Sequence, residues 1–301
     1  MKVAMATYRL LTILPGRMGL WIFRFAAWWI TAGFFLFSPG RVAVGVKFYR
    51  TLFPERGHWY HLWCTRTQFH HFTQVFIDRS LLSQKDKITY THEGWEYLEE
   101  AVAKKSGGIL VMSHVGNWEA ASRLLQDKSG HTPGMKLMLY LGEKHKEQLE
   151  RKQKEDLVQN GVTIIAVEQD GGSPADIVEG IKFLRNGGLV SLTGDRLWRR
   201  DQRSIAVNFL GREAPIPETP FIFALLSGAP LFIFFTYRTG KYGYHFKVLP
   251  PQFVTAKDRG DRDDAIRRAA QFYADRLEEM VREQPFEWFH FEPFIEEKKG
   301  S

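Results

Sequence analysis

Of the ten histidines in this 301-residue chain, His114 stands where a histidine can do chemistry. It follows Ile109–Met112, a short apolar run bounded by glycines that reads as a buried strand. Three residues later Asn117 opens a helical pattern, with Trp118, Ala121, Leu124 and Leu125 on its apolar side. His114 is therefore expected in a strand-to-helix turn. Asn117 is a good N-cap, because its side chain can accept from the free amides of the first turn, and this places Glu119 inside that turn. A carboxylate there is favoured by the positive end of the helix dipole. In one continuous helix, residues five apart would point in different directions, but the turn lets Glu119 reach the imidazole, fix its tautomer and stabilise its protonated form. The expected chemistry is general-base catalysis, with His114 as base and Glu119 as orienter. His145–Glu150 has the same spacing and serves as a control, since it lies in a charge-rich helical stretch with no strand before it.

The pattern around this turn is that of an α/β fold. Short runs rich in branched apolar residues at Lys136–Leu141, Val162–Val167 and Leu189–Thr193 alternate with helical stretches at Lys144–Asn160 and Pro174–Leu184. Such strands imply a largely parallel central sheet covered by helices on both faces. Further strands are expected at Ile88–Tyr90, Leu231–Tyr237 and Tyr244–Val248, and helices at Gly57–Ile77, Trp95–Lys104, Phe221–Leu226 and Asp263–Glu283. Ligands collect at the carboxyl ends of parallel strands. His114 and Gly194-Asp195-Arg196 both follow such ends and can share a site. Arg196 is expected to hold an anionic group and Asp195 to position it or a donor to the reacting group, a mutual ion pair being the alternative.

Charge is distributed unevenly. Residues 1–56 carry eight basic side chains against Glu55 alone, an excess of +7, whereas the rest of the chain balances 33 basic with 33 acidic residues. A uniformly basic surface would suggest nucleic acid; a basic excess confined to an aromatic leader suggests anionic lipid. Leu20–Phe37 is interrupted only by Arg24 and lies near the lower length limit for a spanning helix. Trp21, Trp28 and Trp29 favour headgroup depth. The expected division is a membrane-anchoring segment, 1–56, and a catalytic domain, 57–301. The single cysteine, Cys64, can form no intramolecular disulfide. His61, Cys64, His70 and His71 match no zinc spacing, so no metal is expected.

These blocks together resemble a known family. HVGNWE after an apolar strand, the strand-then-GDR at Leu189–Arg196, the stretch Val207–Phe232 and the closing Pro285–Phe291 resemble the glycerolipid and lipid A acyltransferase superfamily, nearest to its bacterial lauroyl/myristoyl transferase-like branch. The resemblance implies transfer of a fatty acyl group from an acyl thioester, on acyl carrier protein or coenzyme A, to a hydroxyl of a membrane lipid or saccharolipid. It implies no further cofactor, a place on the cytoplasmic face of a bacterial inner membrane, and membrane lipids with an acyl carrier protein as partners. Asn117, Asp195, Arg196, Phe209 and Gly211 would then contact substrate, with amides near Gly116–Asn117 receiving the oxyanion and Phe209–Gly211 forming part of the acceptor and acyl-chain pocket. Relatives near lipid A acylation carry an arginine shortly after the third strand, where this chain reads Tyr140-Leu141-Gly142. Two other classes fit the same residues: a lipid hydrolase in which His114 activates water, and a non-catalytic membrane-surface protein needing neither His114 nor Glu119.

Overall fold

The structure, a computed structural model, describes residues 17–82, 88–117, 120–125, 132, 134–142, 163–167, 174–197 and 202–295. Among the described residues three helices come first: α1 (Arg17–Phe37), α2 (Pro39–Leu52) and α3 (His58–Leu82). Strands β1 (Thr89–Glu93) and β2 (Gly108–Met112) flank α4 (Trp95–Ala103). Next come β3 (Leu137–Gly142), β4 (Thr163–Val167), α5 (Pro174–Arg185) and β5 (Leu189–Thr193). The hairpin β6 (Ser204–Phe209) and β7 (Arg212–Pro217) leads to α6 (Thr219–Ser227), β8 (Leu231–Arg238), β9 (Gly243–Val248) and α7 (Arg262–Glu283).

Seven strands form one sheet in the order β1-β9-β8-β2-β5-β3-β4. Every neighbouring pair is parallel except β8 and β9, which are joined by a hairpin. Alternation along the central strand explains why it is continuously apolar. Ile109 and Val111 face one core, with α6 and α7, while Leu110 faces a second core with α4 and the helical residues 120–125. The α7 stripe expected from its periodicity is buried, from Ile266 to Val281. The small β6–β7 sheet was not legible from the sequence, because Pro215 and Pro217 argue against a strand; as a two-stranded ribbon its edges need no further donors. The charged helix expected at Lys144–Asn160, including His145 and Glu150, lies outside the described residues.

Ser38 breaks the N-terminal helices where Pro39 starts a new one. Among the described residues no single helix is long and apolar enough to cross a membrane, and Ala27–Phe37 and Pro39–Leu52 are bent by 93° relative to each other. Leu20–Phe37, expected as a marginal span, lies within α1. The apolar surface it leaves is extensive: Phe25, Trp28, Trp29, Ile30, Leu36 and Phe37 are all exposed. On the inner side, Tyr49 and Leu52 of α2 and Cys64 of α3 belong to the same core as Val111 and Tyr273. Burial pushes the Cys64 thiol up to about 11, which keeps it protonated and inert.

One glycine fixes how closely the His114 turn approaches the sheet. Gly116 has φ of 68°, and a Cβ there would lie 1.8 Å from the backbone oxygen of Thr236 at the end of β8. Gly116→Ala should therefore cost about 1–3 kcal/mol from the dihedral alone, with the backbone clash in addition. The check is the denaturant midpoint, expected to fall well below that of the parent.

Candidate active site

Sheet register brings the two halves of the site together. Met112 pairs with Thr193 at the carboxyl ends of the parallel strands β2 and β5. His114 and Asp195 each lie two residues beyond these partners, so the chain leaves both strands at one point. The Gly194 amide donates to Met112 O at 2.8 Å, and the Tyr273 hydroxyl of α7 reaches the same carbonyl at 3.3 Å.

Asp195 is completely buried, and three donors converge on its carboxylate. The His114 backbone amide donates to Oδ2 at 2.7 Å, His114 Nδ1 bonds Oδ1 at 2.8 Å, and Trp288 Nε1 donates to Oδ2 at 2.8 Å. Burial alone would raise the Asp195 pKa; the neighbouring His114 charge and hydrogen bonds outweigh it and hold the carboxyl well below the usual carboxylate range. Because the folded value is the lower one, ionised Asp195 contributes stability above its unfolded pKa of about 3.9, and that contribution is lost as pH falls below it.

For the neutral imidazole, hydrogen-bond accounting assigns the tautomer. The ionised carboxylate only accepts, so Nδ1 carries the hydrogen; Arg196 Nη1 lies 3.2 Å from Nε2 and only donates, so Nε2 carries the lone pair. This is the form that can take a proton. Arg196 is mostly covered and also lies 3.9 Å from Glu292. His290 packs edge-on to His114, with ring centroids 6.3 Å apart, and stacks on Trp288. Burial, with the His114 and Arg196 charges acting in the same direction, pushes its pKa down to about 4, so it is neutral near pH 7.

A C-terminal strap, Pro285–Phe291, closes the site from behind. Gly116 N donates to Glu287 O, Phe289 N donates to His114 O, and Val115 bridges Trp288 in antiparallel fashion. The amide of Gly116, expected to receive an oxyanion, is committed to Glu287. Helices α2 and α3 hold the strap in turn. Tyr49 donates to Pro285 O, Gln68 to Trp288 O at 2.6 Å, and His71 bonds the Glu287 carboxylate at 2.8 Å. Of the histidines considered for a metal, His61 bonds Phe53 O, His71 bonds Glu287, and His70 lies 3.5 Å from the Gln74 amide.

The remaining expected residues are placed as follows. Asn117 is buried; its Oδ1 accepts from Ala120 N and its backbone oxygen from Ala121 N, the geometry of an N-cap. Phe209 is buried against Trp288 and Phe294, one layer behind Asp195. Leu210 and Gly211 have φ of 54° and 71° and turn the β6–β7 hairpin, where Leu210 N bonds Glu278 of α7. Glu119, the expected orienter, lies outside the described residues, as do Trp198–Asp201 of the basic loop Trp198–Arg203, which carries Arg199, Arg200 and Arg203 just after the GDR turn. Asp195 holds the Nδ1 position. That role was not read from the sequence, where Asp195 was expected to position a group held by Arg196 or a donor to the reacting group, with an ion pair to Arg196 as the alternative; the signal for it was the equal offset of His114 and Asp195 from two strand ends. Trp288 and His290 were visible only as part of an aromatic tail.

With this geometry in place, the chain can be compared with known proteins. The family model for bacterial lipid A biosynthesis acyltransferases matches residues 67–294. The phosphatidylinositol mannoside acyltransferases of two Mycobacterium tuberculosis strains, ATCC 25618 / H37Rv and CDC 1551 / Oshkosh, are each 24% identical over 223 residues, 71% of this chain. The chain spans 62% of the length of these curated relatives. The family match covers most of the chain and includes His114, Asp195, Arg196 and Trp288. The chain belongs to the bacterial lipid A biosynthesis acyltransferase family.

Proposed function

We propose that the protein is an O-acyltransferase that moves a fatty acyl group from an acyl thioester to a hydroxyl of a membrane lipid or saccharolipid. The observation that carries this reading is His114 held by Asp195 at Nδ1 with the Nε2 lone pair directed at Arg196. The acceptor hydroxyl displaces Arg196 from Nε2 and attacks the thioester carbonyl as His114 takes its proton. The imidazolium that forms is stabilised by the Asp195 carboxylate. The displaced guanidinium remains beside the reacting carbon, where its donors meet the developing oxyanion or an anionic group of the substrate. Collapse breaks the C–S bond, and the proton on Nε2 passes to the leaving thiolate. Glu119, five positions after His114 in the sequence, is the second acid we assign to stabilising this imidazolium.

A membrane acceptor is supported by the exposed Phe25, Trp28, Trp29 and Phe37 of α1 and Trp59 and Trp63 of α3, in a chain whose first 56 residues carry the basic excess. Residues 1–56 act as the anchoring segment, on the cytoplasmic face of a bacterial inner membrane, and 57–301 carry the catalysis. Phe209 and Gly211 shape the pocket indirectly, Phe209 through Trp288 and Gly211 through the hairpin turn.

Substitutions test the assignment. His114→Ala should lower transfer by roughly 10²–10⁴-fold, the usual range for a positioned base. Asp195→Asn should approach that loss, and Glu119→Gln should cost less. The Asp195–His114 double variant should be little worse than His114→Ala, since both act on one proton transfer. His145→Ala and Glu150→Gln should stay near the parent. Initial rates of transfer to added lysolipid or saccharolipid, set against release of free fatty acid, provide the measurement; dominant fatty acid release would identify a hydrolase instead.

The membrane assignment predicts that the full chain remains in the pellet after a high-salt wash, because an apolar anchor supplements the electrostatics. Soluble active protein after that wash would overturn it.

Donor choice is tested at the basic loop. Reversing Arg199, Arg200 and Arg203 to Glu should weaken use of acyl-carrier donors more than acyl-CoA, with a smaller difference at high salt. Equal losses with both donors at every salt concentration would assign the loop another task.

A further inference from the structure

A second buried carboxylate lies on the other side of the His114 turn. Asp78 of α3 is 1% exposed and accepts from Arg238 Nη2 at 3.1 Å and from the Tyr244 hydroxyl at 2.5 Å. Arg238 also donates to Lys241 O, which anchors the guanidinium at the β8–β9 hairpin. Asn117 Nδ2 donates to Tyr244 Oη at 3.3 Å, and Asn117 Oδ1 accepts from Ala120 N at 3.4 Å. The mechanism proposed above uses none of Asp78, Arg238 or Tyr244.

The direction of this chain is fixed at one end. A carboxylate only accepts, so the Tyr244 hydrogen points at Asp78. Burial and the Asp78 charge push the Tyr244 hydroxyl far above its ordinary value, so it remains a donor. Its lone pair is then the only group it can offer Asn117, which must present NH₂ to Tyr244 and its oxygen to the helix amide. Were the amide reversed, an oxygen would face the tyrosine oxygen with no hydrogen between them, and an NH₂ would face a backbone N–H.

We infer that Tyr244, with Asp78 behind it, is a positioning residue that orients the Asn117 amide and thereby fixes the turn carrying His114. Packing alone does not need a buried charge here, since well-packed apolar groups serve as well or better for stability. A polar chain does supply direction, and Asn117 stands three residues from His114, at the start of the helix that follows it. The other side of the turn is pinned by Glu287 O and Phe289 N. Asn117 needs this second tie if His114 is to keep its distance to Asp195 while Arg196 is displaced. The inference rests on the acyl-transfer reading of His114.

The test uses the full chain in detergent micelles, with Tyr244→Phe and Asn117→Ser. The first removes only a hydroxyl. The second keeps an N-cap oxygen but is too short to reach Tyr244. For both, kcat per folded protein should fall roughly 10–100-fold, the scale of a small misplacement of reacting groups, while KM changes less than about threefold. The double variant should lose little more than either single one. Independently of activity, amide hydrogen exchange at Ala120 and Ala121 should accelerate about tenfold or more, with exchange in β2 unchanged. Parent kcat and parent exchange in both variants would overturn the inference, as would a uniform loss of stability with kcat per folded protein retained. If the parent itself transfers no acyl group from any thioester, the proposed function fails, and the exchange measurement alone decides whether Tyr244 positions the turn.

Discussion

A carboxylate with no exposure to solvent is the constraint around which the site is arranged. Removing the Asp195 charge from water costs several kcal/mol unless donors replace the lost hydration. Here three donors come from two places in the sequence: the backbone and side chain of His114, which follows β2, and the indole of Trp288, which lies on the C-terminal strap. Each has its own structural requirement. The first two need the Met112–Thr193 register, which sets both strand exits side by side. The third needs the strap to lie against Val115, which requires Gly116 to pass close to the end of β8 where no side chain fits.

The N-terminal helices enter the argument through that strap. Tyr49, Gln68 and His71 each bond a different residue of 285–288, and Phe69 and Phe72 pack on Phe291. Packing consequently continues from the exposed aromatic face of α1 through α3 to the indole that supports Asp195. A load placed on the outer face, such as insertion among lipid headgroups, acts on helices that are mechanically joined to the site.

The fold was legible wherever local periodicity coincided with burial. The continuous apolar runs of β2, β5 and β8 and the stripe of α7 lie where their patterns placed them. The β6–β7 hairpin escaped because its prolines are tolerated only in a ribbon with free edges, a property of the sheet and not of the strand. The position of His114 in a strand-to-helix turn was legible because a strand, a glycine and an N-cap surround it in sequence. Its partner at Nδ1 was less so, since contact between His114 and Asp195 depends on which strands are neighbours, and the order β8-β2-β5-β3 cannot be read from any window of residues. Asn117 shows the same division: its capping role is local and was expected, whereas its tie to Tyr244 spans 127 positions.

Two buried acids, Asp195 and Asp78, perform the same physical task on opposite sides of one turn. Each accepts and never donates, so each imposes a direction on the groups bonded to it. Asp195 forces the hydrogen of His114 onto Nδ1 and leaves Nε2 as the acceptor; Asp78 forces the Tyr244 hydrogen inward and the Asn117 oxygen toward the helix. A neutral acceptor such as an amide could rotate and satisfy either orientation, so the same contacts would survive with the tautomer or the cap reversed. Ionised carboxylates disfavour the reversed arrangement because it costs a buried charge one of its donors, about 1–3 kcal/mol or more. In this fold the buried charges therefore select one proton arrangement from several that would pack equally well.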